Sequence, residues 1–172
     1  MLMRNISILK ANNVFWKDYK NLRLRALREE PKAFASSYEI EKNTPDEEWK
    51  KRLKSYKEGK NNWMVFANDA GKLVGMVGAY QTDRHIKNNS VDIIALFVPG
   101  EERGRGISKL LMRALLDELK NASISNAKLS VYKEQVIALN LYKKLGFKIT
   151  GQENVPHGTG EPHKAYLMEK TL

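Results

Sequence analysis

With 172 residues the chain can bury one sizeable core but not two, and 42% hydrophobic with 29% charged residues is the composition of an ordinary globular protein. No apolar run approaches the roughly 18 residues that would span a bilayer, so neither a membrane protein nor a membrane partner is expected. The formal charge of +10 admits nucleic acid or a polyanionic cofactor, but the lysines are spread through WKDYK, EEWKKRLKSYKEGK and LYKKLGF as on solvated helix faces.

Taken in chain order, ISIL reads as a first strand, and Phe15, Tyr19, Leu22 and Ala26 fall at helical spacing after it. TPDEEW opens a second helix, with Thr44 as cap, Pro45 at the first helical position and Glu47 completing a capping box; Trp49, Leu53 and Tyr56 form its stripe. WMVFA and KLVGMVGAY, joined by NDAG, predict an antiparallel hairpin in which Gly75 and Gly78 mark a bulge or a close backbone approach. VDIIALFV follows, apolar enough for a central strand covered on both faces. Ile107, Leu110, Leu111, Ala114 and Leu115 then match a helical template beginning within or just after RGRGIS. AKLSVY alternates as a strand, and Ala138, Leu141, Tyr142 and Leu145 make a helix stopped by Gly146. FKIT and KAYLMEK are the last strands. No linker or repeat divides the chain, so one α/β (α+β) domain over residues 1–172 is expected.

The absence of cysteine removes disulfides, thiolate nucleophiles and Cys-based zinc sites together. His85, His157 and His163 are too scattered for a metal cage, so no metal is expected. MLMRNISILKANN lacks the apolar length and cleavage site of a secretory signal, which makes a cytoplasmic location the expectation.

A strand running through a glycine loop into a helix aims several N–H groups and the positive end of the macrodipole at one spot. Gly104 and Gly106 allow close main-chain approach there, and Arg103 and Arg105 add charge. Spacing excludes two familiar nucleotide loops: there is no G-x-x-x-x-G-K-[ST] and no G-x-G-x-x-G followed by an acidic residue.

The loop resembles that of the GNAT superfamily of acyl-CoA-dependent N-acyltransferases, [Q/R]-x-x-G-x-[G/A] after a strand ending in L-x-V. Leu96 and Val98 end the strand, Arg103 and Gly106 match the loop, Ser108 stands where Gly or Ala is usual, and Pro99 lies one residue early. The second family pattern, L-x-V-x-x-x-N-x-x-A-x-x-L-Y-x-K-x-G-F, falls on Leu129, Val131, Ala138, Leu141, Tyr142, Lys144, Gly146 and Phe147, with Gln135 in place of the asparagine. The resemblance implies a mixed, mostly antiparallel sheet of about seven strands flanked by about four helices and splayed between its central strands.

It also implies acetyl-CoA as cofactor. Its pantetheine arm would pair with main-chain groups of Leu96, Phe97 and Val98 and with Gln135, and its pyrophosphate would lie on Arg103, Gly104, Arg105, Gly106, Ile107 and Ser108. The acceptor would be a primary amine of a small molecule or protein, attacking directly. Tyr142 would give a proton to the leaving thiolate, and Asp92, at the start of the central strand, would serve the amine as base. Glu39 is a second candidate base. REEPKAFASSYEIE, with Phe34 and Tyr38, is consistent with a loop and short helix roofing the acceptor pocket, and NVPHGTGEPHK, with His157 and His163, could form the opposite wall. Alternatives are an acyl-CoA-binding regulatory module without catalysis, a polyamine-directed acetyltransferase, and an RNA-binding domain; no RNP or KH pattern supports the last, so no nucleic acid is expected. Monomer and homodimer are both open.

Overall fold

The computed structural model describes residues 6–155 and 163–172. Its elements are β1 (Ser7–Lys10), α1 (Trp16–Glu29), α2 (Tyr38–Glu41), α3 (Asp46–Glu58), β2 (Asn62–Asp69), β3 (Lys72–Tyr80), α4 (Asp83–Lys87), β4 (Ser90–Phe97), α5 (Ile107–Asn121), β5 (Asn126–Tyr132), α6 (Val136–Lys144), β6 (Lys148–Val155) and β7 (His163–Thr171). The strands form one sheet in the order β1-β2-β3-β4-β5-β7-β6. Neighbours are antiparallel except β4 and β5, which run parallel. The expected seven-stranded, mostly antiparallel sheet is therefore present, with four longer helices and two short ones.

Alternation along the strands divides the apolar residues between two cores. Trp63, Val65 and Ala67 of β2 join the core that holds Ile107, Leu111, Leu115 and Leu119 of α5. Met64 and Phe66 join the core that holds Tyr19, Leu22 and Ala26 of α1 with Trp49 and Leu53 of α3. Tyr19 meets Trp49 and Phe66 edge-on, at centroid distances of 5.6 and 5.8 Å. Helices thus cover both faces of the N-terminal half of the sheet.

Gly75 sets how closely α5 can lie on that sheet. A Cβ there would come within 2.8 Å of Leu111 Cδ1 and 3.1 Å of the Phe97 carbonyl, so the bare backbone seats the start of α5 beside the end of β4. Gly78 is similarly crowded by the Trp63 carbonyl at 2.9 Å. The hairpin turns on Ala70 and Gly71, both with positive φ, as a two-residue connection between right-twisted strands demands.

Several local expectations are corrected. Phe15 precedes α1 and is 56% exposed, so the buried stripe begins at Tyr19. Pro45, not Thr44, caps α3, and no side chain satisfies its first amides; the Thr44 carbonyl instead accepts from Trp49 Nε1 at 3.2 Å. The β4 strand is open rather than covered at Ile94, which is 40% exposed. The helix α4 gave no periodic signal because it is a single turn. It forms on a capping box between Thr82 and His85.

Candidate active site

Two strands part at the centre of the sheet. β4 and β5 pair only from Ser90 with Asn126 to Asp92 with Lys128. Beyond that point β4 keeps pairing with β3 and β5 with β7, so a gap opens between Ile93–Phe97 and Leu129–Tyr132. A bulge deepens it: Ala95 takes φ +58 and the register with β3 shifts between Met76 and Gly78. Among the described residues, the edge of β4 facing the gap has no strand partner from Ile93 onward, which leaves main-chain donors and acceptors to be satisfied by something else.

At the far end of β4 lies the glycine loop. After a turn at Gly100–Glu102 the chain passes Gly104 and Gly106, at φ +77 and +76, and Gly106 caps α5 without a side-chain hydrogen bond. Among the described residues, the amides of Gly104, Arg105 and Gly106 donate to no protein acceptor, and those of Ile107, Ser108 and Lys109 belong to the unsatisfied first turn. A Cβ built on Gly104 or Gly106 meets nothing within 4 Å. Open space in front of a run of free amides at a helix N-terminus can cradle an anion.

Both arginines of this loop are already engaged. Arg103 donates from Nε to the Val98 carbonyl at 3.1 Å and pairs with Glu30 at 2.6 Å. Arg105 pairs with the buried Asp69 at 2.9 Å and with Glu102. The charges expected beside the anion are thus shared with carboxylates: the guanidiniums fasten the loop to Glu30 after α1 and to Asp69 of the β2–β3 hairpin. Val98 is likewise not wholly free, since its carbonyl is taken by Arg103, and Phe97 is buried in the α1 core.

Tyr142 comes from α6 and is 8% exposed, with its ring edge-on to Phe147 at 6.0 Å. Burial pushes its phenol well above the ordinary value, so the hydroxyl keeps its proton across the physiological range. No protein hydrogen bond to it is formed among the described residues. Gln135 caps α6 from the β5 side and its side chain makes no cap hydrogen bond.

Asp92 stands at the vertex, in the last β4–β5 pair, on the face opposite α5. Its Oδ2 accepts from the Tyr80 hydroxyl at 3.3 Å and lies 3.3 Å from His85 Nε2. Burial, and then the neighbouring carboxylate, push the Tyr80 phenol up. A cavity of about 320 Å³ adjoins the carboxylate, lined also by Arg84, Lys128, Ser130, Glu153 and Glu169.

A parallel pair that opens into a gap, with a free-amide cradle at the end of the same strand, is the arrangement expected above from the two sequence patterns. The model of the acetyltransferase (GNAT) family matches residues 21–147. The chain belongs to the GNAT family. It is 35% identical to human N-acetyltransferase 8 over 100 residues, 58% of this chain and 44% of that protein; it therefore spans under half the length of this relative. Its fold is similar to that of a GNAT-family acetyltransferase from Streptococcus pneumoniae, with a TM-score of 0.78 at 21% identity over 98% of this chain and 100% of that one. It is equally similar to the yncA protein of Salmonella typhimurium, solved with its cofactor acetyl-CoA, with a TM-score of 0.78 at 14% identity over 98% and 94%.

Within this GNAT fold, the segment after α1 is placed differently from its expected role. Phe34 is buried in the α1–α3 core with Arg23 4.7 Å above its ring, so it anchors the segment from beneath. Tyr38 is half-buried under Arg28, 4.4 Å from its ring centroid. Glu39 points to solvent and pairs with Lys42. The acid that the fold buries here is Glu41, held by Arg23 at 2.8 Å and Arg52 at 3.0 Å. His157 lies outside the described residues; His163 begins β7, 5.7 Å from the Tyr132 ring. Sequence reasoning missed His85, Tyr80 and Glu41. Only His85 left a trace, a T-x-x-H spacing in which histidine replaces the usual Glu or Gln of a capping box. No described helix is long and apolar enough to cross a membrane.

Proposed function

We propose that this chain is an acetyl-CoA-dependent N-acetyltransferase acting on a primary amine of a small molecule or protein. One observation carries the reading: the vertex of the β4–β5 gap holds a carboxylate, and the other end of β4 leads into a cradle of free amides. Acetyl-CoA, when bound, supplies a thioester whose carbonyl an amine can attack, with release of the thiol.

The residues fit such a ligand. The amides of Gly104 to Ser108 would hold the pyrophosphate, and the unpaired edge of β4 near Leu96 would bind an extended arm as a neighbouring strand does. Beside the cradle, a cavity of about 420 Å³ between the start of α5 and α6 is lined by Lys109, Ile137, Asn140, Leu141, Lys144 and Leu145. Its lysines and apolar wall suit the rest of a phosphorylated nucleotide.

The acceptor then comes from the opposite face, through the cavity beside Asp92. An amine resembling lysine, with a pKa near ~10.4, costs about 4 kcal/mol to hold neutral near pH 7.4. Asp92 takes its proton, directly or through a water molecule. In this basic chain the cavity itself carries three acids, Asp92, Glu153 and Glu169, against Arg84 and Lys128. Lys128 is occupied by Glu169 at 3.4 Å, so the wall around Asp92 favours a cationic acceptor. Tyr142 keeps its proton until the thiolate leaves and gives it there.

The experiment is release of free thiol from acetyl-CoA across a panel of diamines, amino acids, aminoglycosides and peptides. Thiol release with matching acetylated amine supports the reading; CoA binding without transfer to any amine overturns it.

A further inference from the structure

We infer that His85 is a positioning residue for the Asp92 carboxylate, an inference that rests on the reading of Asp92 as the base for the acceptor amine. Thr82 donates its backbone N–H to His85 Nδ1 at 3.1 Å, and an amide nitrogen can only donate. The Thr82 hydroxyl, also 3.1 Å from Nδ1, can donate to it as well; with the amide aimed at Nδ1, the inferred tautomer carries its proton on Nε2. His85 Nε2 lies 3.3 Å from Asp92 Oδ2.

The Tyr80 hydroxyl donates to the same oxygen at 3.3 Å, and the Tyr80 and His85 rings meet edge-on at 5.9 Å. Two groups thus converge on Oδ2 of a carboxylate that also lines the cavity. His85 thus joins two tasks through one ring: Nδ1 closes the first turn of α4, and Nε2 orients the base. This resembles the way a neutral histidine's tautomer is set by the partner of its other nitrogen. The charged groups that face the cavity beside Asp92 are Arg84 on α4, Lys128 on β5, Glu153 on β6 and Glu169 on β7. Each is more exposed to solvent than the ring, whose side chain is 16% accessible.

The two tasks separate by substitution. His85→Gln keeps both, since the glutamine carbonyl accepts from Thr82 and its NH₂ donates to Asp92. His85→Glu keeps the cap, being the usual residue of a capping box, but puts an acceptor where the donor was. His85→Leu keeps neither. With benzylamine as a minimal primary amine and acetyl-CoA in the full chain, we expect kcat to fall about 10-fold in His85→Glu and His85→Leu, to stay within about 3-fold of wild type in His85→Gln, and the KM for acetyl-CoA to hold throughout. In an Asp92→Asn background, His85→Leu should cost less than about 2-fold, because the group it positions is gone.

A purely structural cap predicts that Glu and Gln behave alike; that result overturns the proposal while leaving Asp92 as base. An equal loss from His85→Leu in both backgrounds does the same. Full activity in Asp92→Asn overturns the base reading, and the role of His85 with it. Long-range proton–nitrogen spectra of the histidine rings decide the geometry without any acceptor. The expected spectrum shows His85 protonated on Nε2, with that proton exchanging faster in Asp92→Ala; protonation on Nδ1 overturns the proposal.

Discussion

The Arg103 guanidinium lies 2.6 Å from the Glu30 carboxylate, which ties the glycine loop to the C-cap residue of α1. A bound pyrophosphate would compete with Glu30 for that charge. Half-exposed pairs of this kind are worth about 0.2–1 kcal/mol, so Glu30→Gln should tighten CoA binding by roughly 1.4–5-fold. Arg103→Ala should weaken it by a similar factor and remove the effect of Glu30→Gln. Calorimetric titration of CoA into the single and double variants checks this; additive effects would show that the two residues act apart.

Gly106 tests the main-chain cradle itself. Its φ of +76 is strained for any L side chain, yet a Cβ there touches no atom of the described residues within 4 Å. Gly106→Ala should cost about 1–2 kcal/mol in folding, from backbone strain alone. Gly106→Val adds bulk in the space where the ligand belongs, so CoA affinity should fall by at least ~10-fold beyond Arg103→Ala. Denaturant unfolding and CoA titration on the same samples separate the two effects, and unchanged CoA affinity in Gly106→Val removes the loop from the cofactor site.

How much of this was legible in the sequence depends on whether a residue works through its neighbours along the chain or across the fold. The loop was legible because strand, glycines and helix are contiguous, and the period of Ile107, Leu111 and Leu115 survives into the buried face of α5. Gly75 was readable as a site of close approach, but not that Leu111 is what approaches. The partners of the arginines were not legible because Glu30 and Asp69 are far away in sequence. His85 and Tyr80 escaped notice for the same reason: they meet Asp92 only when β3, α4 and β4 are folded together. Glu39 and Glu41 differ by half a helical turn, and no pattern in a four-residue helix says which one faces Arg23.

Glu41 gives a pH prediction. Burial alone would raise its carboxyl, but hydrogen bonds and charge from Arg23, a hydrogen bond from Ser36 and the charge of Arg52 outweigh it and hold the group below the ordinary glutamate value. A group lowered in the folded state stabilises fully above its unfolded pKa, about 4.3, and that contribution is lost as pH falls through the folded value. Glu41→Gln should therefore cost about 1–3 kcal/mol at pH 7, with a gap to wild type that is flat above about pH 5 and closes in acid. Urea unfolding at a series of pH values measures the gap, and a gap that widens in acid contradicts the assignment.

Tyr142 is the proposed proton donor to the leaving thiolate. Burial raises its phenol and keeps it protonated, and no protein acceptor holds the hydroxyl among the described residues, so the proton is available to a group in the gap. Tyr142→Phe retains the edge contact with Phe147 and the packing of α6 while removing that proton. The rate of thiol release should fall by about 10²–10⁴, with acetyl-CoA affinity little changed. Because product release can mask a chemical step, the measurement is single-turnover thiol release with enzyme in excess. The raised phenol also fixes the sign of the pH dependence: as a proton donor Tyr142 should impose no loss of rate up to and somewhat beyond pH 10, so any fall in rate at lower pH belongs to protonation of the base or the amine. If the Phe variant released thiol as fast as wild type under these conditions, Tyr142 would be a packing residue, and water or the acceptor ammonium would be the source of the proton.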